Sequence, residues 1–339
     1  MKLFLEKEFL EQFFIEFDEN NAIISDFLRF LKELKNFQLI VNTSDITEFE
    51  QEVHNNPFLE LMINESVPKL SFNAHLRKDV LSEDFYKDDT YPFKLFLLDS
   101  ENEECMKLSK DYGYEYLCIS NLSDRWNCYF SGREDTKMKV TKNKRFPDKL
   151  RFDSYEKMKC FTHPLNSILI IDKYILVNNK GSQEITENFI PLLKVLLNKM
   201  SDKIEIDILI LTRKMFSDVR TTWEFLMNEV KSALPNKKIN LNLVRDEKHL
   251  YPAGHHGIKG RRIITNYFTI SSEDSFTFFN SNGSTKGISD IRFDFNFEKN
   301  NWLNLQFELN EIKEYVDHIV LNDDNDITYF KSKRNRMLK

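Results

Sequence analysis

Short apolar runs alternate with helical repeats along this chain, and that alternation limits its fold more than any other feature. Residues 2–5, 37–41, 93–98 and 114–119 are each an apolar run of buried-strand length. Between them, Phe9, Leu10, Phe13, Phe14 and Phe17 recur at helical spacing. Ile23, Ile24, Phe27, Leu28, Leu31 and Leu34 repeat the pattern. Ser44, Asp45 and Glu48 mark a helix start, because a capping oxygen and first-turn acids both suit the free N–H groups there. Residues 101–112 form a further amphipathic stretch, and Gly113 suits the left-handed position that ends such a helix. Strands separated by helices predict a parallel sheet covered on both faces, the α/β class.

The alternation resumes further on. Strands are expected at 167–177, 204–211, 239–244, 263–270 and 276–279, with helices at 184–200, 216–233 and 302–321. Residues 290–297 alternate polar and apolar, which predicts a half-exposed edge strand. Segment 55–91 is less regular and reads as an insertion or lid. Between the two series the charge shifts. Residues 137–151 carry seven basic side chains and one acid, Asp148, with Pro147 inside the run. The expected organisation is therefore two domains, each a largely parallel or mixed sheet flanked by helices. The first covers 1–135 and the second 153–330, with a basic linker at 136–152 and a basic tail at 331–339. With 41% hydrophobic residues and 30 Phe, 339 residues suffice for two cores.

A net charge of −6 argues against a general coat for long duplex DNA but leaves room for a local basic patch. Cys105, Cys118, Cys128 and Cys160 form no Cys-x-x-Cys pair and have no His at zinc spacing, which predicts reduced, buried thiols. The first residues are apolar but broken by Glu6, Lys7, Glu8 and Glu11. No run approaches the ~18 apolar residues of a membrane span. A cytoplasmic protein with no membrane partner is expected. No phosphate loop, nucleophile elbow or dinucleotide fingerprint is present, so nucleotide hydrolysis by this chain alone is not expected.

Two stretches carry candidate chemistry. Glu6, Asp45, Glu48 or Glu50, and Asp99 fall at or just after predicted strand ends. In a parallel sheet those ends gather in one crevice. Converging carboxylates there would hold Mg²⁺ or Mn²⁺, which prefer oxygen ligands and can activate water against a phosphodiester. The blander reading is helix caps and solvated surface. The order of acids over residues 1–125 resembles that of PIN-like nucleases. The resemblance implies Glu6, Glu48 and Asp99 as catalytic metal ligands. The chain departs from that pattern in having Glu6 for an Asp, and in a late acid, Asp124, displaced beyond Ser120-Asn121-Leu122.

The second stretch is Lys259-Gly-Arg-Arg-Ile-Ile-Thr-Asn-Tyr267, which follows a Gly- and His-rich loop. With Asp172 and Tyr174 on an early strand, it resembles degenerate phospholipase D-like domains. Their motif is His-x-Lys, four residues, then Asp, and Lys259, Arg261 and Asn266 stand at that spacing. All three depart from the family, and a protonated Lys cannot replace a neutral imidazole nucleophile. The departures imply lost catalysis with phosphate binding retained by Lys259, Arg261, Arg262 and Asn266, joined by His255 and His256. One motif copy is present where catalytic members need two, so a homodimer would supply the second. The plain alternative is a solvated basic turn before a core strand. The expectation is a nucleic-acid-directed protein, acting on RNA or DNA as a metal-dependent nuclease of a prokaryotic defence or toxin system. The alternative is a non-enzymatic adaptor built from degenerate nuclease folds that binds a partner protein or RNA.

Overall fold

The computed structural model describes residues 1–16, 34, 37–66, 68–88, 91–122, 125, 137–158, 164–177, 181–245, 261–321, 328–329 and 334–338. The helical repeat expected at 23–34 lies almost wholly outside them. The chain divides into two compact units, 1–132 with 297–303, and 133–296 with 304–339. No helix among the described residues is long and apolar enough to cross a membrane.

The first unit is built on five parallel strands: β1 (Lys2–Leu5), β2 (Gln38–Val41), β3 (Lys69–Phe72), β4 (Lys94–Leu97) and β5 (Glu115–Leu117). Their order is β3-β2-β1-β4-β5. The chain thus winds one way from β1 to β3 and then returns to the other side of β1. Ligand crevices in open α/β sheets lie where the strand order reverses, here between the carboxyl ends of β1 and β4. One face is filled by a ladder of rings. Phe4 stacks on Phe96 at 4.5 Å and Phe96 on Tyr116 at 4.4 Å, across three adjacent strands. The helix Asn102–Tyr112 stops at Gly113, whose φ of 70° only glycine adopts without strain. Segment 55–91, which reads as irregular in the sequence, is largely regular. It supplies the helices Pro57–Ser66, Leu76–Val80 and Glu83–Asp88 and the edge strand β3.

The second unit holds nine strands: β6 (Lys137–Val140), β7 (Arg151–Phe152), β8 (Ser167–Ile171), β9 (Glu205–Thr212), β10 (Lys238–Arg245), β11 (Arg261–Thr265), β12 (Phe268–Ser272), β13 (Asp290–Phe295) and β14 (Thr328–Tyr329). Their order is β14-β10-β9-β8-β11-β12-β13-β6-β7. β8, β9 and β10 are parallel and linked through the helices Ile190–Leu197 and Val219–Ala233, while β8, β11, β12, β13 and β6 run antiparallel in turn. The fold class is therefore mixed α/β in both units.

Four expectations are corrected here. The basic run is not a linker, because it forms β6 and β7, and Lys137 and Lys139 both pair with Asp290 on β13 at 2.6 and 2.9 Å. β13 is not an edge strand, since β12 and β6 flank it. The tail is not free over residues 334–338. Arg336 reaches the buried Asp207 carboxylate at 2.8 Å, and Asn335 accepts from the Ser167 hydroxyl at 2.9 Å. Finally, 263–270 is not one strand but the two-residue hairpin between β11 and β12. The break falls at Asn266, whose fully buried amide oxygen accepts from the backbone N–H of Asn166 and Ser167 at 2.9 and 3.2 Å.

Candidate functional site

Because β11 runs antiparallel to β8, its first residues lie beside the end of β8, with Arg262 opposite Ile171. Asp172 and Tyr174 follow β8 immediately. Successive strand side chains point to opposite faces, so Arg261 and Arg262 part company. Arg261 lines a cavity of about 350 Å³ together with Tyr174, Ser275, Phe278 and Lys286. One guanidinium nitrogen, Nη1, donates to the Glu273 carbonyl. Its Nε–H is buried and has no partner among the described residues. A buried N–H without an acceptor is costly.

The walls of the cavity are fixed by buried polar groups. Asp172 is 1% exposed and accepts from the Tyr174 N–H at 2.9 Å, the Phe276 N–H at 2.8 Å and the Ser275 hydroxyl at 2.8 Å. Burial pushes its carboxyl above the usual range, opposed by those donors and by Arg261. Asn188 accepts from the Phe279 N–H at 3.0 Å and donates to the Phe279 carbonyl at 3.0 Å, holding the segment that carries Phe278. Lys286 donates to both oxygens of the buried Glu184 carboxylate at 2.6 Å. Its charge is therefore largely balanced from within. Asp274 also lines the cavity. Gly287 does too, and a Cβ built on it would meet nothing within 4 Å.

The other residues expected to contact phosphate have different surroundings. Arg262 pairs with Glu308 on the far face, where Glu308 is 7% exposed at its side chain. Burial raises the Glu308 carboxyl, and Arg262 pulls it back. Asn266 is taken up entirely by the hairpin, since its amide also donates to the Asn166 side chain at 3.0 Å. Lys259, His255 and His256 lie outside the described residues. Lys286 was not singled out from sequence as a site residue. Its local context, Gly283 to Gly287, reads only as a failed nucleotide fingerprint, and its partner Glu184 lies 102 residues away.

In the first unit, Glu6 follows β1 and Asp99 lies just beyond β4, at the point where the strand order reverses. Glu6 is 4% exposed, and its Oε2 accepts from the Asp99 N–H at 2.8 Å and from Arg77 at 3.3 Å. Burial raises the Glu6 carboxyl, Arg77 and the Asp99 N–H lower it, and the nearby Glu8 and Asp99 charges raise it again. Arg77 also reaches Glu104 at 2.6 Å and Ser100 at 3.2 Å. Glu48 turns elsewhere. It accepts from the Ser44 N–H at 2.7 Å and hydroxyl at 2.8 Å, and from Lys7 at 3.3 Å. Asp45 completes the helix cap by accepting from the Thr47 and Glu48 N–H groups. These hydrogen bonds hold the Glu48 carboxyl below its ordinary range.

The donor set therefore brings Glu6 and Asp99 together and leaves Glu48 with Lys7. Among the described residues no three His, Cys, Asp or Glu side chains are grouped as a shared metal ion requires. As arranged, the three carboxylates do not fit Mg²⁺ or Mn²⁺, and the cationic groups beside them are Arg77 and Lys7. Arg77 went unnoticed in the sequence because the segment around it read as a lid. The chain matches no protein-family model and no curated protein.

Proposed function

We propose that this is a cytoplasmic, nucleic-acid-directed binding protein that takes a phosphate-bearing ligand at Arg261. The observation that carries the reading is the partly exposed Arg261 side chain on the wall of an open cavity, next to the Lys286 side chain. A guanidinium offers phosphate a charge-assisted and geometrically matched donor pair. Ser289 on the same wall carries a further hydroxyl. In this reading the first unit contributes binding surface, in the manner of an adaptor, because its acids pair with Arg77 and Lys7.

The test is fluorescence anisotropy on labelled RNA and DNA oligonucleotides bearing phosphates. Arg261→Ala should weaken binding at least about tenfold, the order expected for one charged hydrogen bond. Arg220→Ala, at an exposed helix pair, should leave it unchanged. Equal binding by both variants would remove the pocket from the function. Mn²⁺-dependent cleavage that is lost in Glu6→Gln would instead establish the first unit as a nuclease.

A further inference from the structure

We propose that Cys105 and Cys118 form a reactive dithiol at the carboxyl end of the first sheet, which a peroxide oxidises to an intramolecular disulfide. The pair belongs to the first unit, and the inference does not depend on the phosphate reading of Arg261.

Two packed elements bring the sulfurs together. Cys118 follows β5 directly, level with the end of β4, where the Leu98 N–H donates to the Leu117 carbonyl at 2.8 Å. Cys105 lies near the start of the helix Asn102–Tyr112. Both thiols are free and buried, and they hydrogen-bond to each other. Neither is sealed deep in the core. The Cys118 Sγ lies 3.2 Å from the hydroxyl of Ser120, an exposed residue. The Cys105 sulfur contacts the hydroxyl of Ser100, which is half-buried. Each sulfur thus sits one serine below the surface. Rotation of the exposed Ser120 side chain opens Cys118 to a molecule as small as hydrogen peroxide.

A buried structural cysteine is ordinarily inert, because burial keeps it protonated and the thiolate is the nucleophile. Here the two sulfurs divide that effect. The Cys105 thiol donates to Cys118 and holds the Cys118 thiol well below its usual range, against the effect of burial. The Ser120 hydroxyl and the N–H groups of Asn121 and Ser120 act in the same direction. The same bond and burial push the Cys105 thiol up. The charged group that acts on Cys105 is Arg77, which is itself held by Glu6 and Glu104. The arrangement is one thiolate with one protonated thiol beside it, which is what a nucleophile and a resolving partner require.

The chemistry balances with hydrogen peroxide as the oxidant. The Cys118 thiolate attacks one peroxide oxygen, the O–O bond breaks, and hydroxide leaves. Cys118 becomes a sulfenic acid. The Cys105 sulfur then attacks the Cys118 sulfur, forming the S–S bond and expelling the hydroxyl, which leaves as water with the Cys105 proton. The two thiols lose two electrons in all, and the peroxide gains them. Closure brings sulfurs already in hydrogen-bond contact to a bond of about 2.05 Å.

The experiment uses the full reduced chain. Hydrogen peroxide is added and the reaction is quenched. The chain is then unfolded and alkylated, and all four cysteines are followed by peptide mass spectrometry. A linked Cys105–Cys118 peptide lacking two hydrogens should appear, and dithiothreitol should reverse it. At pH 7 it should form at least about tenfold faster than an unstructured cysteine peptide oxidises, since only about 3% of such a peptide is thiolate. Between about pH 6.5 and 8.5 the rate should change less than about threefold, against about fiftyfold for the peptide. A thiol pair that merely packs would not give that flat profile.

Cys105→Ser keeps a hydroxyl beside Cys118 and should stop oxidation at a Cys118 sulfenic acid, which dimedone traps. Cys118→Ser should leave Cys105 reduced. Circular dichroism checks that both variants fold, and the wild-type rate and pH profile decide alone if they do not. The proposal falls if Cys105 and Cys118 stay reduced while the peptide oxidises. It falls equally if either pairs instead with Cys128 or Cys160, or if the rate climbs with pH as the peptide's does.

Discussion

Asp99 donates its backbone N–H to the buried Glu6 carboxylate at 2.8 Å, which ties the carboxyl end of β4 to that of β1. Arg77 completes the environment of Glu6 from the helix that follows β3. Arg77→Ala would leave a nearly buried carboxylate with one donor fewer and no counter-charge. A loss of about 1.5–3 kcal/mol is expected, toward the lower end because the Arg77 side chain is 38% exposed and solvent screens part of the pair. The loss depends on pH. Burial already raises the Glu6 carboxyl in the folded state, and removing Arg77 raises it further. A raised folded pKa means that stability is present at low pH and declines as pH rises through that value. The variant should therefore lie close to the wild type below the ordinary carboxylate range and fall behind it toward neutrality. Urea denaturation across pH 4 to 8 checks this, and Glu6→Gln placed in the Arg77→Ala background should flatten the profile.

Asp45 and Glu48 make a different claim. Both are engaged in starting the helix Ile46–Asn55. Asp45→Ala should cost about 1 kcal/mol, the usual value for a lost cap. Glu48→Ala should lower stability in the same direction by loosening the Ser44 turn and the Lys7 contact. Neither loss should change when Mn²⁺ is added, because capping needs no ion. Thermal melts with and without Mn²⁺ separate the two roles. A destabilisation that appears only in the presence of metal would return Glu48 to the ligand set.

Much of the first unit could be read in advance because its signals are local. β1, β2, β4 and β5 are mostly apolar, each with one polar residue at its start, and Gly113 announces its own cap. β3 has the sequence Lys-Leu-Ser-Phe and was hidden because an edge strand need not be apolar throughout. β6 was hidden for a related reason. Its Lys-Met-Lys-Val looks like a solvated run until Asp290, about 150 residues away, supplies the partner for both lysines. The sites follow the same division. Arg261 stood out as part of a basic cluster beside a strand. Lys286 and Glu184 did not, since neither is unusual until the chain brings them within 2.6 Å. Arg262 shows the limit of reading charge alone, because the period of the strand, not its composition, sends it to Glu308.

That pairing can be tested directly. Arg262→Ala leaves Glu308 buried and unopposed, and a loss of about 3–5 kcal/mol is expected for such a break. Removing both charges with Arg262→Met and Glu308→Leu should recover most of it, since a packed apolar pair avoids the desolvation cost. Chemical denaturation of the single and double variants gives the coupling energy. Ligand binding at the pocket should persist in the double variant. If it disappears, Arg262 belongs to the binding surface after all.

Asn266 is the position where a phospholipase D-like motif would carry Asp, and the hairpin explains what such a residue would do here. The amide oxygen of Asn266 accepts two backbone N–H groups, and its nitrogen donates to the Asn166 side-chain oxygen at 3.0 Å. Asn266→Asp keeps the first set of bonds but replaces the donor with a second oxygen facing Asn166. It also places a charge on a side chain with no exposed surface. At neutral pH the substitution should cost about 2–4 kcal/mol, from one reversed hydrogen bond and a desolvated carboxylate. Protonation restores a donor and removes the charge, so the Asp would titrate above its ordinary range in the folded state. Stability of the variant should then rise as pH falls toward the carboxylate range and decline as pH rises through the folded pKa. Thermal melts of Asn266→Asp and Asn266→Ala between pH 4 and 8 distinguish the causes, because the Ala variant loses the same bonds without any pH-dependent recovery. An Asp variant as stable as wild type at pH 7 would mean that Asn166 reorients, and that the hairpin can accommodate the motif's carboxylate.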